Sequence, residues 1–139
     1  MTLPQQKYRI FLETLTPQSL NDLPHHVSAD VHFVDPFNDV VGVTAMAAVF
    51  QHMFDNVTDI RFRVVEEATN GHSVFWNWTL DAHFRGKPWT FSGASVLRFS
   101  SDNRVTEHMD YWDAAQHFYE KLPFIGTLLS GIRRRVSQN

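Results

Sequence analysis

Two aspartates stand where this sequence could do proton chemistry. Asp35 lies in FVDPFNDVVG, residues 33–42, at the end of an alternating run and wedged among Phe33, Val34 and Phe37. Asp110 lies in EHMDYW, residues 107–112, where a period of two puts His108, Asp110 and Trp112 on one strand face. A carboxylate desolvated among aromatic rings holds its proton more tightly, which moves it toward the range of a useful base. Two carboxylates in one apolar pocket push their proton affinities apart and leave one acid and one base. Each also has a plain structural reading. Asp35 can cap the turn at Pro36 and the loop to Gly42, and Asp110 can pair with Arg104 or another cation on an edge strand. Spacing alone leaves both open.

The surrounding residues suit an apolar cavity. Aromatics make up 14% of the 139 residues, with twelve Phe and four Trp. Phe11, Phe50, Phe54, Trp78, Phe91 and Trp112 can line a cavity for a flat apolar ligand, with Phe37, Leu80 and Leu97 beside them, or can fill a core. Ser95 shares a strand face with Gly93 and Leu97. It can donate to a ligand carbonyl or bond to backbone. His108 is a wall residue able to relay a proton.

Composition excludes several other chemistries. No cysteine is present, so there is no thiol nucleophile, disulfide or cysteine metal site. The eight histidines show neither an i, i+4 helical pair nor His-x-His on a strand, so no metal site is expected. SGASV is not a strand-to-helix nucleophile elbow. A net charge of −3 gives no general attraction to nucleic acid or anionic membrane. The opening MTLPQQKYRIF lacks a basic stretch followed by an apolar run, and no window has the roughly 18 apolar residues of a membrane span. The expectation is a soluble, cytoplasmic protein.

The elements that must position these residues follow from hydrophobic period. Tyr8, Phe11, Leu12 and Leu15 form a helical stripe within 4–15, and TPQSLNDL starts a second short helix. Residues 31–35 read as a short strand and 44–55 as a helix. The period then becomes two over 59–68, 73–84, 89–99 and 104–112, with RGKP (85–88) and SSDN (100–103) as turns. Helices segregated from a hairpin-connected sheet mean α+β. The whole of 1–139 reads as one domain with a helical tail from 113, which carries apolar residues and the basic run Arg133–Arg135. That tail can dock on the fold, cover the pocket as a lid, or lie on a membrane surface or partner; the first two are favoured.

VDPFNDVVG followed by a helix, RGKPWTFSGASVLRF and RVTEHMDYW, in this order and spacing, resemble segments of the nuclear transport factor 2-like superfamily. That group includes ketosteroid isomerase and the SnoaL-like polyketide cyclases, and the likeness spans about residues 5–115. It implies a cone-shaped fold, a curved antiparallel sheet wrapped on N-terminal helices. It places Asp35 on the isomerase's general base, Trp112 on a pocket wall, and Asp110 where SnoaL-like enzymes carry an acid/base aspartate. The oxyanion-hole positions fall on Phe11, Phe50 and Ser95, so two of the three lack a donor. Losing one such donor costs about 2.7–4 kcal/mol of barrier, and ketosteroid isomerisation itself is therefore not expected. The likeness also implies a homodimer through the outer sheet face, where Asn77, Thr79, Asp81 and His83 lie. The functional expectation is a cofactor-free isomerase, cyclase, dehydratase or hydrolase acting on a small apolar molecule, with Asp35 as base. The alternative is a non-catalytic ligand-binding or protein-interaction module of the same fold.

Overall fold

The computed structural model describes residues 2–117. Helix α1 (Pro4–Glu13) starts at Pro4, whose missing N–H costs nothing at the first helical position, and Gln6 accepts the Leu3 N–H at 3.3 Å. It buries Tyr8, Phe11 and Leu12. Thr16 and Ser19 exchange side-chain and backbone hydrogen bonds of 2.9 and 3.0 Å to open a 3-10 turn, Ser19–His25. Strand β1 (Val27–Val34), short β2 (Asp39–Val41) and helix α2 (Val43–Asn56) follow. Four long strands come next: β3 (Val57–Asn70), β4 (Ser73–Phe84), β5 (Lys87–Phe99) and β6 (Val105–Tyr111). A short α3 (Ala114–His117) ends the described chain, so most of the expected helical tail lies outside the described residues.

The fold is α+β, with a curved six-stranded sheet in the order β2-β1-β6-β5-β4-β3. Two register shifts in β3, one beside Asp59 at φ 53°, put bulges into that strand, and bulges bend a strand and raise its twist. The expected strand at 31–35 is longer and ends one residue earlier, leaving Asp35 beyond its end. The sheet is not wholly antiparallel. β1 pairs parallel with β6, which the long connection through β2, α2 and the antiparallel run β3–β4–β5 allows. The turn expected over RGKP is confined to Arg85–Gly86, both at positive φ, while Lys87 and Pro88 already pair in β5.

Period-two alternation sorts the two faces. On β4, Val74, Trp76, Trp78 and Ala82 are buried, while Phe75, Asn77 and Asp81 are exposed. The inner face packs on α1 and α2, with Tyr8 stacked on Trp76 at 5.9 Å between ring centroids. Gly93 makes one of these contacts attainable. A Cβ there would lie 2.5 Å from the Trp78 ring and 2.9 Å from the Tyr111 carbonyl oxygen, so only glycine lets the indole lie flat on β5.

Candidate functional site

Between sheet and helices lies a cavity of about 550 Å³, mostly apolar in its lining. Rings from every layer face it: Phe33 from β1, Phe50 and Phe54 from α2, Trp78 from β4, Phe91 from β5, and Trp112 just after β6. Asp35 and Asp110 both open onto it.

Asp35 answers to both of its sequence readings. Its Oδ1 accepts the backbone N–H groups of Phe37 and Asn38, each at 2.8 Å, and the Asn38 amide at 3.0 Å. Oδ2 accepts the same amide at 3.2 Å. These bonds cap the Asp35–Asn38 turn. Yet the carboxyl is held above its ordinary proton affinity. Desolvation is the largest cause, and the charge of Asp110 adds to it. The bonds from Phe37 and Asn38 oppose the rise without cancelling it.

Asp110 is held differently. The Ser95 hydroxyl donates to its Oδ1 at 2.5 Å, and His108 Nε2 approaches the same oxygen at 2.8 Å. Behind them, the Trp78 indole N–H donates to Ser95 Oγ at 2.8 Å, and the Tyr8 hydroxyl meets His108 Nδ1 at 2.8 Å. The direction of each bond follows from the donor inventory. Burial first, and then the Asp110 charge, raise the Tyr8 phenol well above its usual range. In the His108 tautomer with hydrogen on Nε2, that nitrogen donates to Asp110 Oδ1 and Nδ1 accepts from the Tyr8 hydroxyl, so both branches end as donors to Asp110 Oδ1. Ser95 and His108 are almost wholly buried, so leaving any of these groups unpaired would be costly. Oδ2 has no hydrogen-bond partner among the described residues.

Most residues singled out in the sequence line this cavity: Asp35, Phe37, Phe50, Phe54, Trp78, Leu80, His108, Asp110 and Trp112. Three do not. Phe11 stacks on His26 at 4.1 Å, because its helical position turns it toward the 3-10 turn. Leu97 is fully buried two residues beyond Ser95 toward the far end of β5. Ser95 sits behind Asp110 with its hydroxyl spent on that carboxylate, so it offers nothing to a ligand carbonyl. Asp110 pairs with Ser95 and His108 rather than with Arg104, whose ion pair is with Asp102.

The sequence reading missed Tyr8, Asn38 and Trp89. Asn38 follows Asp35 at the spacing of an Asx turn, and Trp89 alternates with Phe91 on β5, so both had a local signal. Tyr8 had none, since its partner is a hundred residues away. Among the described residues no three His, Asp or Glu side chains converge as metal ligands, and no helix is long and apolar enough to cross a membrane.

The model of the SnoaL-like domain matches residues 8–108, and the chain belongs to that family, within the nuclear transport factor 2-like superfamily. Solved structures agree in fold at low identity. An LEH-like epoxide hydrolase from M. tuberculosis superposes with a TM-score of 0.69 at 18% identity, covering 85% of this chain and 86% of its own. A SnoaL-like polyketide cyclase from Agrobacterium tumefaciens gives 0.69 at 16%, covering 81% and 93%. A hypothetical protein with a ketosteroid isomerase-like fold from Catenulispora acidiphila, in complex with trimethylamine, gives 0.70 at 16%, covering 84% and 91%. No curated protein matches the chain.

Proposed function

We propose that this protein binds a small, largely apolar molecule in the aromatic-lined cavity and moves a proton on it without a cofactor, Asp35 acting as the base. The observation that carries the reading is the pair of carboxylates in unlike surroundings on one cavity. Desolvation brings Asp35 nearer the working range of a general base, while a directed set of donors fixes Asp110 as an acceptor. The polyketide cyclase and epoxide hydrolase among the structural neighbours fall within the isomerase, cyclase, dehydratase and hydrolase group that the reading covers. A ketosteroid enolate is not supported. It would find no donor at Phe11 or Phe50, and the Ser95 hydroxyl is already engaged.

The test is a thermal-shift screen of small apolar carbonyl and epoxide compounds, followed by turnover of the hits. Asp35→Asn should lower turnover about 10²–10⁴-fold with ligand affinity little changed. Unchanged turnover in that variant removes Asp35 from the mechanism. Ligand stabilisation without product in the wild type favours the second reading, a binding module, which draws support from the engagement of Asp35 by its own turn.

We also assign the outer face of the sheet as a homodimer interface. Its support is a cross-strand apolar row in which Phe75 pairs with Val96, Val96 with Met109 and Met109 with Val34. Asn77, Thr79, Asp81 and His83 continue that face along β4. Sedimentation of the wild type against Phe75→Lys tests it; a monomeric wild type overturns it.

A further inference from the structure

We propose that the inner end of the cavity, at Asp35 and Asp110, takes a positively charged ligand group, an ammonium carried on an apolar body. The inference rests on the reading of the cavity as a ligand site and adds the charge of what it binds.

Three independent features point this way. The first is an accounting of donors. The Trp78 N–H is spent on Ser95, the Ser95 hydroxyl and His108 on Asp110, the Tyr8 hydroxyl on His108, and the Asn38 amide on Asp35. A carbonyl or anionic end placed there meets acceptors and no spare side-chain donor from this set. The Oδ2 of Asp110 is left to be answered by the ligand, and a cation answers it where a hydrocarbon would leave it desolvated and unpaired.

The second is the position of the opposite charge. Arg85 is the one permanent cation among the described lining residues. Asp110 pairs with Ser95, Ser95 with Trp76, and Arg85 lies nine residues further along than Trp76. At roughly 3.3 Å per residue that is about 30 Å of strand path. Its guanidinium rests 5.3 Å from the Phe84 ring centroid, and among the described residues no lysine or arginine pairs with Asp35 or Asp110, whose one basic neighbour is His108 on Asp110.

The third is the aromatic wall. Trp112 stands 4.5 Å from Phe91, 5.4 Å from Phe37 and 5.9 Å from Trp89 between ring centroids, and all four rings line the cavity that holds both carboxylates. Ring faces beside desolvated acids are the surroundings in which a quaternary or protonated amine is held by cation–π attraction.

Binding is measured by tryptophan fluorescence on the full chain, with benzyltrimethylammonium and its uncharged isostere neopentylbenzene. The cation should bind at least about tenfold tighter than the isostere. Its affinity should rise with pH, because it competes with the Asp35 proton and cannot itself lose one. Among the described residues, the other titratable or charged groups facing the cavity are Glu13 of α1, His52 of α2, Arg85, and His108 and Asp110 of β6. Asp35→Asn should therefore flatten the pH dependence, which separates Asp35 from His52. Asp110→Asn should shrink the preference for the cation toward unity. Equal or tighter binding of the isostere by the wild type overturns the charge assignment while leaving the cavity as a ligand site, and needs no variant to fold. Binding of neither compound at millimolar concentration overturns both.

Discussion

The two carboxylates of the cavity are held by opposite strategies. Asp35 is gripped by its own neighbourhood: every hydrogen bond to its side chain comes from residues two and three positions ahead. Asp110 is gripped by the whole fold, through Ser95 and Trp78 on adjacent strands and through His108 to Tyr8 on the first helix. The local grip leaves Asp35 half-exposed to the cavity with its proton affinity raised. The distributed grip leaves Asp110 with one oxygen committed and the other without a hydrogen-bond partner among the described residues. One carboxylate has its proton affinity raised and the other accepts from two donors set by the fold, and the difference comes from where the donors originate.

Substitutions can break this contrast from either side. The largest stability effect is expected at Gly93→Ala, where the added methyl meets the Trp78 ring and the Tyr111 carbonyl. Overpacking of this kind costs about 1–3 kcal/mol, read by denaturant titration; the loss of the Trp78–Ser95 bond should also shift the indole fluorescence. Ser95→Ala comes next. It orphans a buried indole N–H and takes one donor from Asp110, with a cost of about 1–3 kcal/mol. An equal loss in the Trp78→Phe, Ser95→Ala double variant would show that the N–H finds another partner. Tyr8→Phe removes a single bond to His108 and should cost about 1 kcal/mol. Its sharper signature is in the ¹⁵N spectrum, where the His108 Nδ1 resonance should shift on losing the Tyr8 hydroxyl while Nε2, still facing Asp110, changes little.

The smallest effect sharpens the other side. Because Asp35 has a raised folded-state proton affinity, the native chain binds its proton more tightly than the unfolded chain, whose ordinary value is 3.8. Stability from this group is therefore present below that value and is lost as pH rises through the higher native one. Wild-type stability relative to Asp35→Asn should fall as pH rises from about 4 toward neutrality. A difference that does not change with pH would mean that the turn's donors fully offset desolvation.

Much of this was legible along the chain. The period of two over 73–84 and 89–99 places Trp78 and Phe91 inward, and Asp35-Pro36-Phe37-Asn38 carries its own turn chemistry. The alternatives that stay open along the chain share a cause. Phe11 stands between cavity wall and core, because a helical stripe identifies a buried face without saying what that face meets; it meets His26. Ser95 stands between ligand donor and backbone partner, because a strand face does not reveal which neighbour consumes a hydroxyl; Asp110 does.

Among the described residues the sequence by itself determined the elements other than the short β2, the inward aromatic faces and the capped turn at Asp35, because these depend on residues within a few positions of one another, whereas β2 exists only by pairing with β1. Only the tertiary structure decided that Asp110 is an acceptor and not half of a surface ion pair. Its donors start on α1, β4 and β5, and only the pairing of β6 with β5 and the packing of Tyr8 against Trp76 bring them to one oxygen atom.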